Sequence, residues 1–286
     1  MRDERTTRDG FRPAHARAAG CLAWLLVGFI LFQAEVGRCA SDARLLGQSA
    51  AAQLMQKKLY AEAARLLETD IRGVDEAEIG PQLLMLGECY YLQGQYGEAR
   101  PWFLKAFQNL PYGKNKIVVQ YRLAALAYRL SDTAEALKLT DAFVKEFPND
   151  IRSGRLLILK MQLLAQGGAG AEPDVDAVRN QIAMGGGKYG AAISVAADKV
   201  LTDYYLANGY EEKAVNGYLG IVNNFRQAQV QFAQEKRAVP VDLEEAHDYA
   251  AMQLGMISIR AKREAEATKW LESVRFNTES VWKARL

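Results

Sequence analysis

The sequence predicts an all-α chain: a right-handed α-solenoid of stacked helix-turn-helix hairpins, preceded by an export-signal helix. Three observations predict it. Leu83, Leu86, Gly87 and Tyr90, followed by Ala99, Phe103 and Pro111, have the spacing of two amphipathic helices that cross at small residues. The small residue of the second helix recurs at Ala63, Ala99 and Ala136, 36 and then 37 residues apart, close to the roughly 34-residue period of two-helix repeats. Half of the 286 residues are hydrophobic and 24% are charged, a balance that supports a folded helical chain and not a disordered one.

Residues 1–40 are expected to be a signal peptide or signal anchor. Arg2, Arg5, Arg8, Arg12 and Arg17 precede an apolar core from Cys21 to Phe32, and polarity returns at Gln33 and Glu35. A helix of that core reaches only about 18 Å at roughly 1.5 Å per residue, short of the roughly 30 Å hydrocarbon layer. Export with cleavage near Ala40 and Ser41 is therefore expected. Arg38 stands where a small residue is preferred, so a retained anchor and lipidation at Cys39 are the alternatives.

Residues 41–286 are assigned to the solenoid, with units at about 44–70, 80–111, 117–148, 152–185, 191–225 and 244–279. In the second unit Gly87 and Ala99 let the helices approach, Gly94 ends the first helix, and Pro111 ends the second because it has no backbone donor. The third unit substitutes Ala124 for Gly87 and closes on Phe143 and Pro148, with Asp132 and Glu135 as a capping box. The fourth is degenerate: an apolar helix around Leu156 to Leu164, a break at Gly167 to Gly170, and a partner helix from Val175 to Ala183. Gly209 with Ala214 marks the fifth unit, and Leu254-Gly255 with Ala267 and Leu271 marks the sixth, introduced by Asp242 and Glu245 as a second capping box. Residues 226–243 are read as an insertion that prolongs the preceding helix and then loops out, with a partner-contact element as the alternative, and 280–286 as the start of a further helix.

Chemistry is sparse by contrast. Of three cysteines only Cys89 lies beyond the export segment, so no internal disulfide is expected. Of two histidines only His247 lies in the solenoid, and Ala251 stands where a helical zinc site would need its partner. Gly185-Gly186-Gly187-Lys188 fails as a phosphate loop, because Ile182 replaces its first glycine and Tyr189 its hydroxyl residue. A formal charge of +2 is too small to argue for nucleic acid. No catalytic residue, metal site or cofactor is expected, and the chain is read as a non-enzyme.

Function is expected on the concave wall made by the first helices. Counting from the Leu83 register places Glu88, Tyr91, Tyr121, Tyr128, Arg129, Lys199, Asp203, Met252, Met256 and Arg260 there as candidate partner-binding residues. Aromatic rings and arginines are common anchors for a bound polypeptide. Packing of Tyr91 and Tyr128 against neighbouring units is the alternative.

The run from Gly94-Gln95-Tyr96-Gly97-Glu98-Ala99 to Phe107, then Ala136-Leu137 to Phe143-Val144-Lys145-Glu146-Phe147-Pro148-Asn149-Asp150, resembles the repeats of bacterial envelope tetratricopeptide proteins of the BamD-like and Tol-Pal-associated kinds. The resemblance implies an adaptor of the periplasm, or of the periplasmic side of a membrane, that organises protein partners of the envelope without chemistry of its own. Attachment to the membrane would run through the amino-terminal segment. The alternative is the helical accessory region of an envelope enzyme, similar to a lytic transglycosylase, whose catalytic domain is absent from this chain.

Overall fold

The structure is a computed structural model that describes residues 50–72, 79–185 and 188–275. Among these it contains twelve α-helices and no strand. They form six hairpins in chain order: α1 (Ala50–Gln56) with α2 (Tyr60–Asp70), α3 (Gly80–Leu92) with α4 (Tyr96–Asn109), and α5 (Lys114–Arg129) with α6 (Thr133–Glu146). Then come α7 (Ile151–Ala165) with α8 (Glu172–Met184), α9 (Ala191–Ala207) with α10 (Glu211–Gln234), and α11 (Val241–Arg260) with α12 (Glu264–Glu272). The expected signal segment, residues 1–40, and the expected terminal helix start, 280–286, lie outside the described residues.

Each helix packs on its neighbours in sequence, and the first helices α3, α5, α7, α9 and α11 also touch one another in succession. The second helices make no comparable chain of contacts. First helices therefore line the inner side of an α-solenoid and second helices its outer side.

The turn inside each hairpin is built the same way. One residue in each holds a positive φ: Lys58 (61°), Gly94 (76°), Ser131 (59°), Gly168 (76°), Gly209 (81°) and Lys262 (58°). In five of the six turns the following N–H reaches back to a carbonyl in the last turn of the first helix: Leu59 to Leu54, Gln95 to Tyr90, Asp132 to Ala127, Tyr210 to Tyr205 and Arg263 to Ser258. A left-handed residue thus satisfies carbonyls that the end of a helix would otherwise leave open. Five residues beyond it, a buried alanine begins the second helix's contact: Ala63, Ala99, Ala136, Ala214 and Ala267. The fourth hairpin departs from this, because a short 3-10 turn, Ala169–Ala171, intervenes and Pro173 occupies the alanine's place.

Helix crossings are fixed by size. A Cβ added at Gly87 would lie 2.8 Å from the Phe103 ring, and one at Gly255 would lie 2.7 Å from Leu271 Cδ2. In the fifth hairpin the large and small partners are exchanged. Thr202 sits on the first helix and Gly217 faces it from the second, where a Cβ would approach Thr202 Oγ1 to 2.2 Å.

Two helix starts differ from expectation. Asp132 Oδ1 accepts from the Glu135 N–H at 3.3 Å, which is one half of the anticipated capping box. Asp242 does not cap: α11 opens one residue earlier, after Pro240, whose fixed φ sets the entry. The stretch 226–243 follows its expected course, a prolonged helix and then a loop. Its first part prolongs α10 to Gln234, making it 24 residues long, and 241–243 belong to α11. Phe232 and Val239 pack back onto the core of the last two hairpins and hold the extension in place.

The apolar core is segmented accordingly. One cluster runs from Ala51 to Leu126, a second from Val144 to Tyr204 and a third from Val195 to Trp270. Tyr121, Ala124, Phe143 and Leu156 form a small cluster between the first and second.

Candidate functional site

The inner wall is the surface that the first helices α3 to α11 share, and the ten expected anchors divide into three groups on it. Glu88, Tyr91 and Tyr121 are buried in the wall, so the expectation that they contact a partner is corrected. Tyr91 packs edge-on against Tyr96 and Phe103, at centroid distances of 5.3 and 6.4 Å. Tyr121 packs on Phe143 at 6.2 Å. Glu88 accepts from Arg122 Nε at 2.5 Å, and both side chains are nearly inaccessible, 9% and 4% exposed. The physical reason is that each first helix is covered by the next one. Arg122, from α5, lies over the Tyr91 ring at 4.9 Å and beside Tyr121 at 5.5 Å.

Lys199 and Asp203, the second group, are brought together. Lys199 Nζ donates to Asp203 Oδ2 at 2.7 Å, one helical turn away. Asp203 Oδ1 accepts from Tyr218 Oη at 2.6 Å and from Tyr249 Oη at 3.1 Å, and Lys199 Nζ sits 3.6 Å from the Tyr249 ring centroid. This knot joins α9, α10 and α11. Burial, then the Asp203 charge, pushes the phenols of Tyr218 and Tyr249 well above the usual tyrosine range, so both remain donors. These residues hold the wall together, and sequence reasoning had not found Arg122, Tyr218 or Tyr249.

The third group remains accessible. Tyr128 and Arg129 are half-buried at the end of α5, with Tyr128 Oη donating to Gln162 at 3.1 Å and Arg129 lying 6.0 Å from the Tyr96 ring. Met252 is half-buried, while Met256 and Arg260 are exposed on α11. Ile259 is exposed beside them. The wall thus offers an aromatic and cationic end and a methionine-rich end, a combination suited to an adaptable polypeptide contact.

Other reactive groups are built into the packing. Cys89 is fully buried, and burial, then the neighbouring Glu88 charge, pushes its thiol up to about 12. A thiol held protonated is a packing group and a poor nucleophile. His247 Nδ1 lies 2.9 Å from Asp248 Oδ1, its ring against Phe225, and Arg275 reaches the same carboxylate at 3.1 Å. Tyr189, beside the glycine run, donates to the Pro148 carbonyl at 2.8 Å and fills the space next to Gly154. Among the described residues no three His, Cys, Asp or Glu side chains converge in a metal-binding arrangement.

No family model and no curated protein matches the chain. A solved structure of the assembly chaperone of RpL4 (Acl4), residues 1–338, is similar over 74% of this chain and 96% of that chain, at 14% identity and a TM-score of 0.37.

Proposed function

We propose that the chain is a non-enzymatic scaffold, exported to the bacterial cell envelope, that holds an extended peptide or helix of a partner protein against its inner wall. The observation that carries this reading is the uninterrupted succession of first helices from α3 to α11, which leaves Tyr128 and Arg129 at one end and Met252, Met256 and Arg260 at the other within reach of a ligand. A continuous wall can grip a long segment at several anchors. The export reading rests on the arginines and apolar core of residues 1–40.

Crosslinking from positions 128 and 256 in intact cells tests both parts. A single envelope protein captured from both positions is expected. Tyr128→Ala with Arg129→Ala should lower that capture about tenfold or more, the loss typical of one or two central anchors, with helicity unchanged by circular dichroism. Undiminished capture in the double variant would reject the wall as the binding surface. Capture of cytoplasmic proteins alone would reject export.

A further inference from the structure

The outer side of the solenoid carries one region unlike the rest. Between Glu98 and Asp132 the chain has no acidic residue, yet it contains Arg100, Lys105, Lys114, Lys116, Arg122 and Arg129. Arg122 is spent inside the wall on Glu88. Arg100 and Lys114 are exposed and Lys116 is half-buried, on α4 and the first turn of α5.

Around these cations the outer face of α4 is apolar. Arg100, Leu104 and Phe107 follow at helical spacing, and Leu104 is 44% exposed. Tyr112, in the turn before α5, is 72% exposed. Lys116 Nζ lies 4.7 Å from the Phe107 ring and donates to the Leu110 carbonyl at 3.3 Å, which holds the cation against the apolar stripe. A carboxylate at the edge, Glu146, accepts from Tyr112 Oη at 3.2 Å and from Gln120 at 3.3 Å. α4 exposes one carboxylate, Glu98, in its first turn and none beyond it, whereas other second helices alternate charge along their length: Glu62, Arg65 and Asp70 on α2, Lys138, Asp141 and Lys145 on α6, and Glu264, Lys269 and Glu272 on α12. Pro101 adds a local cost. It lies inside α4 on the exposed side, where it cannot donate to the Gly97 carbonyl.

We propose that the outer face of α4, with the first turn of α5, docks on an anionic phospholipid surface. Leu104 and Pro101 enter the headgroup boundary, Tyr112 sits there with ring inward and hydroxyl outward, and Arg100, Lys114 and Lys116 meet lipid phosphates. The lysines suit this better than base recognition, which favours planar guanidinium forks and stacked rings in a groove. Docking on this side leaves the inner wall open to a partner, and the proposal stands apart from the wall's own role.

The test compares the full chain with Arg100→Gln/Lys114→Gln/Lys116→Gln in flotation with two vesicles, phosphatidylcholine alone and phosphatidylcholine with phosphatidylglycerol. Residues 1–40 carry an apolar segment able to partition into either vesicle, so the readout is the ratio of the two affinities. Wild type should favour the anionic vesicle, and the triple variant should lose that preference by about 100-fold, roughly fivefold for each charge removed near the surface. Leu104→Gln with Tyr112→Ser should weaken residual binding in about 0.5 M salt, where charge is screened. Tyr128→Ala with Arg129→Ala should leave the ratio unchanged. A wild-type ratio near one, or a triple variant with an undiminished ratio, would overturn the proposal. So would tighter binding to a 20-nucleotide RNA that the same three substitutions abolish.

Discussion

The second and third hairpins and the fifth and sixth solve one problem, holding a first helix against the next, in two ways. Between α3 and α5 the contact centres on an ion pair, Glu88 with Arg122, sealed between tyrosine rings and 34 residues apart. From α9 to α11 the contact is a four-residue knot around Asp203, and its longest link, to Tyr249, spans 46 residues. The prolonged α10 and the loop after it account for that longer span. The first pair is the drier, its side chains 9% and 4% exposed, whereas Lys199 and Asp203 keep 12% and 16% of theirs exposed. Regular spacing permits one buried contact to serve, while an irregular unit requires several partially wetted ones.

The largest expected effect tests this contrast directly. Glu88→Ala leaves the Arg122 guanidinium buried without its carboxylate and should cost about 3 to 5 kcal/mol in thermal or urea unfolding, whereas Glu88→Met with Arg122→Met should recover most of the loss. Asp203→Asn should cost less, since water reaches Lys199 and the amide still accepts from one tyrosine. If Asp203→Asn proved as damaging as Glu88→Ala, solvent access would not be what separates the two regions.

How far these regions were legible in the sequence follows from the same distinction. Turns and crossings depend on one local requirement each, small size or a left-handed backbone, so Gly87, Gly94, Ala99 and Ala214 announce themselves. Helical spacing also placed Tyr91 and Tyr121 on the inward side of their helices. What it could not show is that Arg122, from the following unit, lies over them, because contact between units leaves no pattern inside either. A usable signal did exist: Glu88 is the one charge in α3, and Arg122, an opposite charge within the apolar middle of α5, stands one repeat period on. Tyr218 follows Ala214 by four residues as Phe103 follows Ala99, so its place on the second helix was legible though its bond to Asp203 was not; for Tyr249 there was no signal, since the longer α10 shifts the next unit out of period.

A second effect should appear only on the alkaline side, from Tyr218 and Tyr249 in the fifth and sixth hairpins together with the Cys89 thiol and the Tyr90 phenol of the second, both pushed up to about 12. Tyr218 and Tyr249 are held protonated by burial and then by Asp203, while an unfolded tyrosine ionises near about 10. Stability due to these phenols is therefore complete below about pH 10 and lost as pH climbs toward their raised values, by up to about 1.4 kcal/mol per pH unit for each. Tyr205, pushed up to about 12 by burial and then by Asp176, adds to the same region. Melting followed at Trp270, in a Trp24→Phe/Trp102→Phe/Trp282→Phe background, should fall steeply above that pH, and Tyr218→Phe with Tyr249→Phe should flatten the alkaline arm. An equal alkaline loss in the double variant would assign the effect elsewhere.

The smallest effect asks whether the two regions differ at their turns as they do at their contacts. Within its hairpin turns each has one glycine and one L-residue in the left-handed position, Gly94 and Ser131 in the first and Gly209 and Lys262 in the second, which has a further L-residue there, Lys236 (53°), after α10. An L-residue there is strained by roughly 1 to 2 kcal/mol, and glycine relieves it at the expense of greater freedom in the unfolded chain. Ser131→Gly and Lys262→Gly should each stabilise by about 0.5 to 1 kcal/mol. The two gains should match, because the backbone bonds Asp132 to Ala127 and Arg263 to Ser258 close both turns alike. Unequal gains would mean that the irregularity introduced by α10 reaches the turns as well, and that the second region is distinct in its backbone and not only in its side chains.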